Sequence, residues 1–178
     1  MPYVEPPVSI PEDIIPTMLD LASLKPGEKL FDLGSGDGRI LITAARDFHA
    51  IAVGVEVRRK LVKESRVRIK ELGLSDRIRI SCGNFKKVSF RKADVLALYL
   101  SGYTLSLLAP KFKKELNVGT RIVNFDFPIP GWKPDRVVEV TPKGWRKAHP
   151  IFLYVITSTD RDAETDFMRS GLEHYHTE

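Results

Sequence analysis

Lys29-Leu30-Phe31-Asp32-Leu33-Gly34-Ser35-Gly36-Asp37-Gly38-Arg39 is the stretch that decides the fold. Lys29 to Leu33 reads as a short strand. Three glycines then fall within five positions, and Leu41, Ala44, Ala45 and Phe48 follow at helical spacing over Arg39 to Phe48. Strand, glycine-rich turn and helix therefore come in direct succession. Glycine permits positive φ and lets a ligand approach the backbone closely. A helix N-terminus adds oriented N–H donors. In open α/β sheets ligands bind beyond the carboxyl ends of the strands, where the strand order reverses.

The spacing is Gly-x-Gly-x-Gly, so the dinucleotide fingerprint Gly-x-Gly-x-x-Gly fails at its third glycine. The acids narrow the choice further. Asp32 stands before the turn and Asp37 within it, and together they would repel a pyrophosphate. They would attract an ammonium or a sulfonium. S-adenosylmethionine carries both cations and no phosphate, so it is the expected ligand of Asp32, Gly34, Ser35, Gly36 and Asp37. A nucleotide turn and a purely structural turn are the competing readings.

Outward from this unit the chain alternates. Upstream, Pro2, Pro6, Pro7 and Pro11 imply an extended arm. A helix then carries Ile14, Ile15, Met18, Leu19 and Ala22 on one side. Ser9 and Glu12 have capping-box spacing, although Pro16 favours a start nearer Asp13. Downstream, Ile51 to Val55 is a second strand. Arg58 to Leu72 is a second helix with Val62, Ile69 and Leu72 inward and Gly73 as its C-cap. Arg77 to Ser81 is a short strand. Ala93 to Leu100 is an apolar run suited to a buried parallel strand. Leu105 to Leu116 is helical around Pro110, and Thr120 to Phe125 is another strand. The alternation stops there. Arg136 to Val140 and Ile151 to Ile156 flank the turn-rich Thr141-Pro142-Lys143-Gly144, which predicts an antiparallel hairpin. The expected fold is therefore α/β: a Rossmann-like, doubly wound, mostly parallel sheet ending in a hairpin. Residues 1–24 are expected to form an arm and helix covering the ligand site, 25–158 the catalytic domain and 159–178 a polar tail.

Two further turns supply candidate site residues. Glu56 ends the second strand, followed by Val57, and its carboxylate can accept from both ribose hydroxyls. The competing reading is an N-cap acid ahead of Arg58. Asn84 and Phe85 follow the third strand, where Asn84 can read the adenine edge and Phe85 can pack on its face. An ordinary turn is the alternative.

These residues, with Pro2-Tyr3-Val4, Ala93-Asp94-Val95 through Tyr99-Leu100, Gly119-Thr120-Arg121-Ile122-Val123 and Gly131-Trp132-Lys133-Pro134, resemble the archaeal broad-specificity protein-lysine methyltransferases. They are also similar to the mitochondrial lysine-methylating relatives in eukaryotes and, more distantly, to the non-SET histone lysine methyltransferases. The resemblance spans residue 2 to about 156. Two departures stand out. Glu5 replaces the usual Pro or Ser, and Asn124-Phe125 replaces a common Ser-His after the fifth strand.

The resemblance implies in-line methyl transfer to a lysine amine, leaving S-adenosylhomocysteine. The amine must be neutral to attack, and with a pKa near 10.4 that costs about 4–5 kcal/mol at pH 7. An apolar mouth lowers a lysine pKa by desolvation. Tyr99, Phe125, Phe127 and Trp132 are the candidates for that mouth. Tyr99 is the first choice for a catalytic position beside the methyl, and Tyr3 for a lid over the cofactor. Asp94 reads as a strand-start residue rather than a base.

Composition sets the remaining bounds. The chain has 178 residues, 43% hydrophobic and 29% charged, suiting one globular domain. A single cysteine, Cys82, excludes an internal disulfide and fits a reducing compartment, with the cytoplasm as the expected location. The N-terminus lacks the pattern of a signal peptide, and no apolar run reaches bilayer length, so no membrane association is expected. His49, His149, His174 and His176 show no metal-ligand spacing, and no metal is expected. Proteins with accessible lysines are the expected partners. The net charge is +5, concentrated between Arg58 and Lys92, which makes nucleic acid a candidate partner and a solvated helix face the plainer alternative. Tyr99-Leu100-Ser101-Gly102 stands where many nucleic-acid methyltransferases carry Asn/Asp-Pro-Pro-Tyr/Phe. An RNA or small-molecule acceptor, and a non-catalytic binder on the same fold, are the other readings.

Overall fold

The computed structural model describes residues 8–159. Tyr3 and Glu5, and the tail from Asp160 with His174 and His176, lie outside the described residues.

The first strand–turn–helix unit forms where the sequence places it: β1 (Lys29–Leu33), then α2 (Arg39–Asp47), preceded by α1 (Ile15–Leu21). The chain continues through β2 (Ile51–Glu56), α3 (Arg59–Glu71), β3 (Ile78–Cys82), β4 (Val95–Leu98), α4 (Gly102–Glu115), β5 (Arg121–Phe125), β6 (Arg136–Val140) and β7 (His149–Val155). The seven strands form one sheet in the order β3-β2-β1-β4-β5-β7-β6. β1 to β5 are parallel, whereas β7 runs antiparallel to both β5 and β6. The expected hairpin is thus present, and its returning strand is inserted beside β5. The order reverses between β1 and β4, so the glycine-rich turn opens at the switch point.

Two apolar layers sandwich the sheet. One joins α1, α2 and α3 to it through Met18, Leu19, Leu41 and Val62. The other packs α4 through Leu105, Leu108 and Phe112 against Phe31, Leu96 and Tyr154. Ile14, Ile15, Met18, Leu19 and Ala22 are all buried, so α1 and its flanking residues belong to the core. Arg121 reinforces this from β5, its Nε donating to the Ala22 carbonyl at 3.0 Å. Asp94 performs the structural role expected of it, accepting from the Lys29 N–H at 2.8 Å and tying β4 to the start of β1.

Three local expectations are corrected. Ser9 and Glu12 make no capping box. A 3₁₀ turn over Glu12–Ile14 precedes α1, Pro11 is its N-cap, and no side chain caps it. Ser9 is part of the pocket wall instead, and Glu12 pairs with Arg68 at 3.6 Å. Leu72 does not point inward. It is the C-cap of α3 and exposed, because Gly73 at φ +68° turns the chain and Leu74 reaches the core instead. α4 starts three residues before Leu105, since Ser101 caps it through a bond from the Thr104 N–H at 3.3 Å.

Candidate cofactor and substrate site

A cavity of about 340 Å³ opens above the carboxyl ends of β1, β2 and β4. This is within the range that holds a small ligand. Its floor is the glycine-rich turn. Gly34, Gly36 and Gly38 all have positive φ, and Gly38 in the left-handed region is the N-cap of α2. Two neighbours hold the turn. Ser65, wholly buried on α3, donates to the Gly36 carbonyl at 3.0 Å. Glu56 accepts from the Gly36 N–H at 3.0 Å and the Arg58 N–H at 2.8 Å, so one buried carboxylate joins the turns after β1 and β2. The brace to Arg58 is the role that the hydrogen bonds of Glu56 display. Oε1 anchors the start of α3 and also accepts from Arg58 Nη1 at 3.3 Å, whereas Oε2 keeps capacity for a second donor from the cavity.

Asp32 is the most unusual group in the site. It is buried, and its carboxylate receives no hydrogen bond among the described residues. Burial first, then the charges of Glu56 and Asp37, push its pKa up to about 8. Such a group is an incomplete ion pair, and a cation entering the cavity completes it. Asp37 behaves oppositely. Burial pushes its pKa up, but hydrogen bonds and charge from Arg39, with Arg68 further off, outweigh that and hold it below the usual carboxylate range. Arg39 grips Asp37 in a fork, Nε at 2.9 Å and Nη2 at 2.6 Å, and donates through Nη1 to the Ile10 carbonyl at 2.8 Å. The expectation that both acids present free charge to the ligand is therefore corrected. Asp32 instead offers an unpaired carboxyl that ionises when a cation enters, whereas Asp37 is already paired with Arg39, which fastens the N-terminal segment. That segment supplies Val8, Ser9 and Ile10 to the cavity wall.

Val57, Asn84, Phe85 and Tyr99 all line the cavity, as expected. Asn84 also serves the turn. Its Oδ1 accepts from the Lys86 N–H at 2.9 Å and caps the 3₁₀ turn Phe85–Lys87, which leaves its amide NH₂ for a ligand. Tyr103, Thr104 and Leu107, on the first turns of α4, complete the wall. The sequence does not single these out, because they are spread over a helix whose periodicity signals only core packing.

Gly54 stands out in the sequence only as a glycine in mid-strand, yet it leaves the space that the turn occupies. It pairs with Asp32 across β1 and β2. A Cβ there would stand 2.5 Å from Leu41 Cδ1 and 2.7 Å from Ser35 Oγ, itself buried and without a partner among the described residues. A glycine inside a strand often marks such a close approach. Gly54→Ala is expected to displace Ser35 and destabilise the protein by about 1–3 kcal/mol. The same shift should weaken S-adenosylhomocysteine binding about tenfold. Thermal unfolding and calorimetric titration check this, and an unaltered variant in both would show that the turn does not need the space.

The expected mouth is half assembled. Tyr99 and Phe125 meet at 5.2 Å between ring centroids. Trp132 does not join them. It lies across the sheet in the α4 layer, edge-on to Tyr154 at 6.0 Å with the Lys113 ammonium over its ring. The segment after β5 returns over α4, which carries Trp132 to that face. Phe127 is exposed and makes no ring contact among the described residues. The aromatic partner that Trp132 was expected to provide is Trp145, from the β6–β7 loop, 6.2 Å from Phe125. The basic region is partly committed to structure. Arg66 donates to the Ile80 carbonyl at 2.8 Å and Arg68 pairs with Glu12, whereas Lys60 and Lys63 line a shallow open groove along α3.

A parallel sheet closed by a β-hairpin, a glycine-rich turn at its switch point, a buried unpaired carboxylate beneath the turn and a second carboxylate one strand over fit S-adenosylmethionine and define a class I methyltransferase. Solved structures agree. An RNA methyltransferase from Salinibacter ruber, in complex with S-adenosylhomocysteine, superposes with a TM-score of 0.79 at 35% identity, covering 85% of this chain and 95% of that one. TrmN from Thermus thermophilus, at 18% identity and a TM-score of 0.69, shares the fold. The model of the ANTKMT methyltransferase domain matches residues 32–136, and the chain belongs to that family. Among its relatives is a protein-lysine N-methyltransferase of Saccharolobus islandicus, 40% identical over 157 residues, or 88% of this chain and 96% of that protein. The adenine nucleotide translocase lysine N-methyltransferase of Mus musculus is 36% identical over 132 residues, and this chain spans 57% of its length. The protein is thus an S-adenosylmethionine-dependent methyltransferase. No helix among the described residues is long and apolar enough to cross a membrane.

Proposed function

We propose that this enzyme methylates the ε-amino group of lysines in proteins. The observation that carries the reading is the double position of Tyr99. Its ring forms part of the cofactor cavity and packs on the buried Phe125. A lysine stem reaching the methyl must pass this aromatic wall, which strips water from the ammonium and favours the neutral amine. Bound S-adenosylmethionine supplies an electrophilic methyl on a sulfonium. The residues of this chain hold the reactants. Asp32 would serve as countercharge to the ammonium of the methionine portion, Glu56 would accept from the ribose, and Asn84 and Phe85 would hold the adenine. The fixed geometry lowers the barrier by alignment. The lysine methyltransferases of Saccharolobus islandicus and Mus musculus named above support a protein acceptor.

A second reading, RNA methylation, draws on the likeness to the Salinibacter RNA methyltransferase and on the basic face of α3. Radiolabelled methyl transfer to basic proteins and to RNA, run in parallel, separates the two. Label is expected in protein, at lysine after hydrolysis. Label in RNA alone would overturn the lysine reading.

A further inference from the structure

We propose that Asp126, oriented by His149 and flanked by Trp145, is the receptor for the substrate ammonium. The inference deepens the lysine reading and rests on it.

The backbone gives the first reason. Asp126 follows β5 with φ +74°, a left-handed conformation that costs energy for any residue with a Cβ. Its N–H donates to the Pro150 carbonyl at 2.8 Å, which fixes it against the opening of β7. The antiparallel register pairs Phe125 with Ile151, so Asp126 comes beside Pro150, one residue from His149, where the two strands part. This end of the sheet is also the end on which the cofactor cavity opens.

Side-chain geometry gives the second. His149 Nδ1 lies 2.8 Å from Asp126 Oδ1, which leaves Oδ2 without a protein donor among the described residues. Both side chains are about one-quarter exposed, so a ligand can reach them. Trp145 stands edge-on to His149 at 4.5 Å, and Phe125 packs against both rings. The Trp145 loop is pinned by the Lys143 N–H, which donates to Asp13 Oδ2 at 2.7 Å. Phe125 is wholly buried and backs the site, so a ligand meets the exposed Trp145 indole and the carboxylate, which suit the apolar stem and cationic tip of a lysine.

Proximity to the reaction gives the third. Burial and the charge of Asp126 both raise the Tyr99 pKa, so the carboxylate is felt at the ring that borders the cofactor cavity. Tyr99 thereby stands between the cofactor cavity and the Asp126 carboxylate.

A salt bridge that merely fastens β5 to β7 would explain His149 and Asp126 equally well, and the test must exclude it. Asp126→Asn keeps an acceptor for His149 and removes the charge. The probe is n-butylammonium, with n-butanol as its neutral counterpart, titrated into protein saturated with S-adenosylhomocysteine and followed by ¹H–¹⁵N spectra at constant ionic strength. The Trp145 indole N–H and the Asp126 amide should shift with butylammonium at least tenfold more readily than with butanol. Trp132, across the sheet, should stay still. Asp126→Asn should abolish the preference while S-adenosylhomocysteine affinity changes less than twofold. Its KM for labelled protein should rise at least tenfold, with a smaller effect on kcat. Equal responses to both probes, or an unchanged preference in Asp126→Asn, would overturn the assignment. A selective cation response in a protein that labels only RNA would leave this receptor standing and remove the lysine reading. Protein labelling that is indifferent to Asp126→Asn would do the reverse.

Discussion

Asp32→Asn is expected to cost about 100-fold in affinity for S-adenosylmethionine and to stabilise the ligand-free protein at alkaline pH. The two effects have one origin. In the free protein Asp32 has a pKa of about 8 against an ordinary 3.8, because burial and two neighbouring carboxylates disfavour its charge. At pH 7 it is therefore mostly protonated. The cationic ligand needs the anion, so binding expels a proton, and affinity should rise with pH up to about 8. For stability the sign is opposite. Between pH 4 and 8 the folded protein holds a proton that the unfolded chain has released, so stability falls as pH rises and levels off above 8. Asparagine has no charge to bury and escapes that loss. Calorimetric titration in buffers of different ionisation enthalpy should show proton release for the wild type and none for the variant. Thermal unfolding should show the smallest difference near pH 4 and a clearly higher midpoint for Asp32→Asn at pH 9. Loss of the charge partner is assigned about 2.7 kcal/mol, which is the 100-fold above. Affinity within threefold of wild type would remove Asp32 from the cation site, whatever the stability data show.

Much of this was legible in the sequence, and the boundary falls where chain distance ends. β1 was readable to the residue, because apolar period, glycine run and helix onset all agree over Lys29 to Arg39. The hairpin was readable for the same reason. What could not be read was partnership across the fold. Asp37 and Asp32 look alike in the turn, and only folding reveals that Arg39 neutralises one and nothing neutralises the other. Trp132 and Trp145 both follow β5 in a chain with two tryptophans. Local sequence does not say which returns to Phe125, since the path of the segment over α4 decides it. Gly54 did carry a signal, a glycine in mid-strand, but the signal names no neighbour. Ser65 is similar: a serine among the apolar positions of α3 whose partner, the Gly36 carbonyl, is supplied by another element.

Glu56→Gln is expected to erase most of the enzyme's preference for a ribose bearing its hydroxyls. Simple affinity loss would not establish this, because Glu56 also braces the site. Its two oxygens accept from the N–H groups of Gly36 and Arg58, and each buried donor left bare costs about 1–3 kcal/mol. Glu56→Ala should therefore weaken cofactor binding about 100-fold even if the carboxylate never met a ribose. Removing its charge also lowers the Asp32 pKa, which partly offsets the loss by freeing the anion for the ligand. A cycle separates these terms. Adenosine and 2′,3′-dideoxyadenosine are titrated against the wild type and Glu56→Gln. The bracing role acts alike on both ligands and cancels, whereas a direct bond from ribose to carboxylate does not. The wild type should prefer adenosine by at least tenfold, and the variant by less than threefold. A preference that survives intact in Glu56→Gln would leave Glu56 as the brace between two turns and require another acceptor for the ribose.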